Sequence, residues 1–276
     1  MFRKVRARFG GRLEYVLSAS AALSKEVAEF VDALGLRVYE GYGLTETSPM
    51  VTANTRDARR LGSVGKVIPG VRVAIDTSLG DAPGQGEIVV YGPNVTQGYY
   101  RRPEENEKVL TADGGLRTGD LGYFDADGFL YVTGRIKEQY KLSNGKYVMP
   151  GPLEEELKLS PYIANVMLHG ANRPYNVALV VIDEPAVREW LSQQGGELDD
   201  LTSDPRVERL IDDEVRRAAS SFRGFEVPRR VLLVREDFTT ENDLLTPTLK
   251  LKRRNVEKRH GAALDELYGG DAEAKV

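Results

Sequence analysis

The chain predicts a mixed α/β protein in two parts, and three features of it do so. A strand–helix–strand run occupies 13–40, short glycine-punctuated strands fill about 60–134, and a new alternation of helices and strands follows a polar stretch starting at Gly134. The first is a βαβ unit, the second reads as a twisted antiparallel sheet or small barrel, and the third as an α+β unit of its own.

LEYVLSAS (13–20) reads as a buried strand ending in small residues. Ser24 is placed to cap a helix in which Val27, Phe30, Val31 and Leu34 fall at helical spacing, and Gly35 stops it. LRVYE (36–40) is the next strand, and a single helical crossover makes it a parallel neighbour of the first. SVGKVIPGVRVAID, GEIVVYGP and YFDADGFLYVTG supply the antiparallel strands, the last a hairpin turning at Asp127-Gly128. GRIKEQYKLSNGKYV is polar and charged, a joint at which a second domain begins. Beyond it come a helix in PLEEELKL, strands IANVMLHG and NVALVVID, acidic helices over 186–194 and 205–220, a strand in RRVLLV and a helix from near Lys250. YGGDAEAKV is expected to be a disordered tail.

Composition removes several classes of function. With no cysteine among 276 residues, disulfides, zinc–thiolate sites and a cysteine nucleophile are excluded. Two histidines, His169 and His260, are too few for a multi-histidine metal site, so a metal here takes oxygen ligands, which suits magnesium. A net charge of −4 gives no electrostatic argument for nucleic acid. No apolar run approaches the roughly 18–20 residues that cross a bilayer, and the basic start MFRKVRARFGGRLEY lacks a secretory h-region. A cytoplasmic location is expected.

Three short motifs fail on inspection. Asp125-Ala126-Asp127-Gly128 resembles the start of a calcium loop, but the twelfth position is Ile136 where glutamate is needed. Gly41-Tyr42-Gly43 begins like a dinucleotide fingerprint, but Glu46 replaces its third glycine. Gly62-Ser63-Val64-Gly65-Lys66 is too short for a phosphate-binding P-loop.

RVYEGYGLTETSPM (37–50) is a different matter, a flexible polar loop at the carboxyl end of a parallel strand, where open α/β sheets bind ligands. It is followed in order by GYY (98–100), RTGDLG (117–122), GRIKE (134–138), LSNGKYVMPGPLE (142–154) and TPTLKLKRR (246–254). This ordered set resembles the adenylate-forming (AMP-binding) superfamily of acyl- and aryl-CoA synthetases, adenylation domains and luciferases, over about 13–260. DLLTPTLKLKRRNV and LGSVGKVIPGVRV are most similar to long-chain fatty acid–CoA ligases, the subgroup in which Leu249 stands where other relatives carry glycine.

The resemblance implies a two-step reaction. A fatty acid carboxylate attacks the α-phosphorus of ATP to give acyl-adenylate and pyrophosphate, and the thiol of coenzyme A then takes the acyl group and releases AMP. It also implies the roles. Thr45 meets a phosphate oxygen and Glu46 a Mg2+ ion; Gly41 and Gly43 let the backbone approach the nucleotide, Tyr42 stacks on adenine, and the small residues from Ser18 through Ser20 and Ala21 lie along the purine. Asp120 accepts from the ribose hydroxyls, Arg135 binds ribose or phosphate, Lys137 is the hinge, and Lys250 is the adenylation catalyst, chosen over Lys252 by alignment on T-x-x-G-K. Ser143, Asn144, Gly145 and Lys146 face the thiol, with Gly145 leaving room for the pantetheine arm.

On the same basis, 1–134 is the C-terminal part of an AMP-binding N-terminal domain, the remnant of a larger α/β domain, 135–268 a smaller mobile C-terminal lid, and 269–276 the tail. Relatives carry an upstream S-G-T-T-G-x-P-K phosphate loop that is missing here, so the chain is expected to be an incomplete, weakly active fragment needing a companion N-terminal segment. Alternatives are delivery of the acyl group to a carrier-protein phosphopantetheine, a non-catalytic nucleotide- or partner-binding role, and peripheral membrane contact through the basic 250–260 helix.

Overall fold

The computed structural model describes residues 2–20, 23–79, 83–195 and 200–269. The chain divides into two units, Met1–Glu138 and Gln139–Val276.

The first unit opens with α1 (Arg3–Arg8), β1 (Tyr15–Ser18), α2 (Lys25–Ala33) and β2 (Arg37–Gly43). β1 and β2 pair in parallel, Tyr15 opposite Arg37 and Ser18 opposite Glu40, as the βαβ reading requires. The Ser24 hydroxyl accepts the Glu26 N–H (3.2 Å), and Gly35 leaves the helix at φ +83°. β3 (Met50–Ala53) and β4 (Lys66–Val67) complete a sheet of order β1-β2-β3-β4.

β1 corrects the expectation of a buried strand. Tyr15 is 55% and Leu17 73% exposed, because among the described residues β1 is an edge strand with a neighbour on one side only. The apolar stripe on α2 is likewise only partly used. The helix buries Ala28 and leaves Phe30 exposed.

A second sheet contains β5 (Arg72–Asp76), β6 (Gly86–Tyr91), β7 (Leu116–Phe124) and β8 (Leu130–Arg135), with α3 (Pro103–Val109) between β6 and β7. Every pairing is antiparallel and the order β5-β6-β7-β8 is open, a sheet and not a barrel. The hairpin turns as read from Asp127-Gly128: Asp125 N–H donates to the Phe129 carbonyl (3.0 Å) and Gly128 has φ +79°. Both Asp125 and Asp127 carboxylates receive the Arg60 guanidinium. The 62–65 segment is a turn whose Gly65 has φ +87° and no room for a Cβ, which would lie 1.9 Å from the Ala53 carbonyl carbon. Val51, Ile88, Val90 and Leu130 form one core, joined by Tyr42 from β2. That shared core fixes the carboxyl end of β2 against the β7–β8 hairpin.

The second unit contains β9 (Tyr140–Lys141), β10 (Tyr147–Val148), α4 (Pro150–Leu157), β11 (Ile163–His169), β12 (Val177–Ile182), α5 (Glu184–Gln193), α6 (Pro205–Ala218), β13 (Val231–Val234) and α7 (Arg253–Glu266). β12 is central, antiparallel to β11 and parallel to β13. Its six residues VALVVI are all buried because both faces are covered. Ala178, Val180 and Ile182 pack with Leu153, Leu157, Val187, Ile211 and Val215 of α4, α5 and α6. Val177, Leu179 and Val181 pack with Val256 and Leu264 of α7 and with Phe238 and Leu244. Asp183 and Asp204 cap α5 and α6 by accepting the Ala186 and Arg206 N–H groups (3.0 and 2.8 Å).

The last helix begins at Arg253, three residues past Lys250. Leu249 has φ +60°, a left-handed conformation that no helix continues, and the Thr246 hydroxyl accepts the Lys250 N–H (3.0 Å), closing a separate turn. The expected disordered tail lies, apart from Gly269, outside the described residues. No helix among the described residues is long and apolar enough to cross a membrane.

Candidate active site

Asp120 is the centre of the first unit's cluster of expected site residues. It lies on β7 opposite Arg135 of β8 and is 4% exposed. The Tyr42 hydroxyl donates to its Oδ2 (2.7 Å) and Arg135 Nε to its Oδ1 (2.7 Å). Three residues, distant in sequence, are therefore joined through one carboxylate. Burial and then the Asp120 charge push the Tyr42 phenol well above its ordinary pKa, so it stays a donor. Partial burial works against charge on Arg135, but Asp120 outweighs it and the guanidinium's pKa rises. A carboxylate has about four lone-pair positions, so Asp120 keeps acceptor capacity beyond these two bonds.

The loop after β2 is closed by a residue that the sequence reading passed over. Thr47 is fully buried; its hydroxyl accepts the Leu44 N–H (2.9 Å) and donates to the Pro49 carbonyl (2.6 Å). Asn94 Nδ2 donates to the Thr47 and Met50 carbonyls (3.0 and 2.8 Å), tying the loop to the segment after β6. Ser48 takes φ +56° to complete the turn. A Cβ on Gly43 would lie 1.7 Å from the Pro49 carbonyl oxygen, so glycine is required there by the loop itself. At Gly41 the nearest atom to such a Cβ is the Thr52 carbonyl oxygen at 3.2 Å.

Within this loop Thr45 is exposed and Glu46 half-buried. The Tyr99 hydroxyl donates to Glu46 Oε1 (2.6 Å), and the Thr96 N–H donates to the Glu46 carbonyl (2.8 Å). The bond to Glu46, followed by burial, raises the Tyr99 pKa to about 12. No group of three or more His, Cys, Asp or Glu able to hold a metal occurs among the described residues. A single carboxylate nevertheless suits magnesium, which keeps several waters and is completed by substrate phosphate oxygens.

Ser20 follows β1 at φ +74°, and the register of Ser18 with Glu40 puts it at the same end of the sheet as the Gly41–Glu46 loop. Ala21 lies outside the described residues. A cleft of about 470 Å³ on β1 and β2, lined by Tyr15, Leu17, Arg37 and Tyr39 among others, contains none of the expected site residues. Arg117, in RTGDLG, serves the sheet: its Nη1 donates to Glu87 (2.6 Å) and Nη2 to Asp76 (2.9 Å). Lys137 is exposed in the 3-10 turn Ile136–Glu138, the last element before the division between units.

In the second unit, Ser143, Asn144, Gly145 and Lys146 form an exposed turn between β9 and β10, held at its base by buried Leu142. Gly145 N–H donates to the Leu142 carbonyl (2.9 Å), and the Asn144 side chain accepts the Lys146 N–H (3.0 Å). Gly145 has φ +86°, and the nearest atom to an added Cβ is Lys141 Cε at 3.8 Å.

The cations near the C-terminus separate by partner. Lys252 pairs with Asp243, and Arg253 with Glu154, whereas Lys250 is exposed and without an ion pair among the described residues. The 244–252 segment folds back on itself: the Thr246 N–H donates to the Lys250 carbonyl and the Lys252 N–H to the Leu244 carbonyl (2.8 Å each). Glu154, which ends the LSNGKYVMPGPLE motif and carried no expected role, anchors the base of that segment through Arg253 and also accepts the Leu168 N–H (2.7 Å).

Comparison with known proteins bears on the family and the fold. The AMP-binding enzyme family matches residues 2–100, and the AMP-binding enzyme C-terminal domain matches 137–271. The long-chain-fatty-acid–CoA ligase FadD15 of Mycobacterium bovis is 35% identical over 274 residues, 97% of this chain and 44% of the relative. Peroxisomal long chain acyl-CoA synthetase 7 of Arabidopsis thaliana is 34% identical over 284 residues, 97% of this chain and 40% of the relative. The chain thus spans less than half the length of these relatives. Among solved structures, the adenylation domain of a carboxylate reductase from Mycobacterium chelonae superposes with TM-score 0.78 at 28% identity, covering 96% of this chain and 41% of that one. The A-PCP didomain of the carboxylic acid reductase from Segniliparus rugosus, in complex with AMP, gives TM-score 0.79 at 28% identity, with 98% of this chain and 37% of that one covered. The two family matches lie in order and together take in most of the sequence, and the chain belongs to the AMP-binding, adenylate-forming enzymes.

Proposed function

We propose that this chain, together with a companion N-terminal segment, activates a long-chain fatty acid with ATP and transfers the acyl group to coenzyme A. The observation that carries the reading is the Tyr42–Asp120–Arg135 cluster at the carboxyl end of β2, on a chain 35% identical to a long-chain-fatty-acid–CoA ligase.

In the first step a carboxylate oxygen bonds to the α-phosphorus and the bond to the bridging oxygen of the leaving pyrophosphate breaks. Negative charge grows on both sides of phosphorus, so cations and donors aimed there lower the barrier. Lys250 supplies a mobile point charge, Thr45 a hydroxyl and Glu46 a carboxylate for the magnesium ion, which when bound neutralises phosphate charge. Asp120 accepts from the ribose, with Arg135 beside it, and Tyr42 lines the base; Gly41, Gly43, Ser20 and Ala21 shape the space around the nucleotide. In the second step the thiol gives up its proton to solvent, its sulfur bonds to the acyl carbon, the mixed-anhydride bond breaks, and AMP leaves with the bonding electrons. Lys137 is the hinge between the steps, and the turn of Ser143, Asn144, Gly145 and Lys146 faces the thiol.

Calorimetry with AMP on the 276-residue chain tests the nucleotide site, with loss of binding expected in Asp120→Ala. Binding unchanged by that substitution overturns the assignment. ATP–pyrophosphate exchange is expected to be weak for the chain alone and restored when a companion N-terminal segment is supplied; full exchange by the chain alone overturns the dependence on such a segment. A carrier-protein phosphopantetheine is the second acceptor, favoured by the similarity to an adenylation–carrier didomain. Acyl transfer to coenzyme A in the absence of a carrier decides for the first.

A further inference from the structure

The GYY motif has no step of the reaction assigned to it above, yet it is held by a dense set of hydrogen bonds. Gly98 has φ +124°, and a Cβ there would lie 2.8 Å from Asn106 Nδ2. The space belongs to Asn106, on α3, whose Oδ1 accepts the Tyr99 N–H (2.7 Å) and whose Nδ2 donates to the Tyr99 carbonyl (3.1 Å). Tyr99 is thereby gripped on both sides of its backbone. Its phenol crosses to the loop after β2 and donates to Glu46 Oε1 at 2.6 Å, while the Thr96 N–H holds the Glu46 carbonyl. No hydrogen bond reaches Glu46 Oε2 among the described residues. Tyr100, the next residue, is 82% exposed and takes no part.

We propose that Tyr99 is a positioning residue for a divalent cation at Glu46: its hydroxyl fixes one carboxylate oxygen and leaves the other for the metal. A free glutamate side chain loses rotamer freedom when a metal captures it, which weakens binding. Here the hydrogen bond has already ordered the carboxylate, so the cation meets a set ligand. Removing a group that orients a metal ligand typically costs about 10–100-fold in metal affinity.

The inference rests on the reading of Glu46 as the magnesium ligand, and the experiment separates the two. Mn2+ is titrated by electron paramagnetic resonance onto the chain in saturating ATP, for wild type, Tyr99→Phe, Glu46→Gln, the double variant and Tyr100→Phe, each first shown to melt cooperatively. Tyr99→Phe is expected to weaken Mn2+ about tenfold, to have no further effect on Glu46→Gln, and to leave Tyr100→Phe as the unaffected control. Glu46→Gln weakening Mn2+ while Tyr99→Phe does not overturns the positioning role alone. An equal loss from Tyr99→Phe in both backgrounds also overturns it, because the hydroxyl then acts other than through Glu46. A wild type that holds Mn2+ no better than Glu46→Gln overturns the metal reading and the inference with it.

Discussion

Glu154 and Arg253, 99 residues apart, meet side on: Arg253 Nη1 donates to Oε1 at 2.8 Å and Nη2 to Oε2, with the Glu154 side chain 8% exposed. The pair joins α4 to the start of α7 and so sets where the 244–252 segment begins. Removing one partner of such a buried pair leaves the other charge uncompensated. Glu154→Ala is expected to cost about 3 kcal/mol in urea unfolding. Replacing both residues by methionine should cost markedly less. Equal losses in the single and double variants would show that the pair is not the cause.

Leu249 has φ +60° with its side chain 72% exposed, so its backbone strain is not offset by burial. The left-handed conformation costs an L-residue about 1–2 kcal/mol, and glycine returns part of that gain through a freer unfolded chain. Leu249→Gly is expected to stabilise the chain by about 0.5–1 kcal/mol, and Leu249→Val to destabilise it. Denaturation midpoints moving in the opposite order would refute the strain argument.

Gly43 and Gly41 should part company on substitution. Alanine at Gly43 places its Cβ 1.7 Å from the Pro49 carbonyl oxygen, against a nearest approach of 3.2 Å at Gly41. Gly43→Ala must reopen the loop and is expected to cost about 2–3 kcal/mol with loss of AMP binding, whereas Gly41→Ala costs less than about 1 kcal/mol. Thermal melting and AMP calorimetry of the two variants check this.

The Tyr99 phenol offers a pH signature. Its folded pKa is raised to about 12 by the bond to Glu46 and by burial, against an unfolded value of about 10. A group whose pKa is raised on folding contributes stability in full below the unfolded value and loses it as pH climbs through the folded one. The contribution is therefore whole at neutral pH and disappears between about pH 10 and 12. Ultraviolet titration of tyrosinate in wild type minus Tyr99→Phe should show one late-titrating phenol; a difference titrating near pH 10 contradicts the bond.

Legibility in the sequence followed the range of the interaction. VALVVI announced a strand, and Asp127-Gly128 announced its hairpin, because apolar continuity and turn chemistry are local properties. Tyr42, Asp120 and Arg135 could be picked out singly, but their convergence on one carboxylate depends on the register of β7 with β8 and on a core shared between two sheets. Thr47 and Glu154 were missed since a threonine in a loop and a glutamate in a helix carry no local mark of burial. The buried reading of β1 failed for a related reason. Apolar residues report what a strand prefers to touch, and an edge position supplies only one neighbour. The late start of α7 turned on a backbone angle at Leu249 that leucine does not advertise.

The open side of β1 has a practical corollary. Among the described residues a row of amides and carbonyls there faces no other strand, with Leu17 and Tyr15 alongside it, so an extended segment of another molecule can dock by backbone pairing. Purified alone, the polypeptide should therefore gain mass with concentration in sedimentation runs. A single lysine at Leu17 should keep it dispersed.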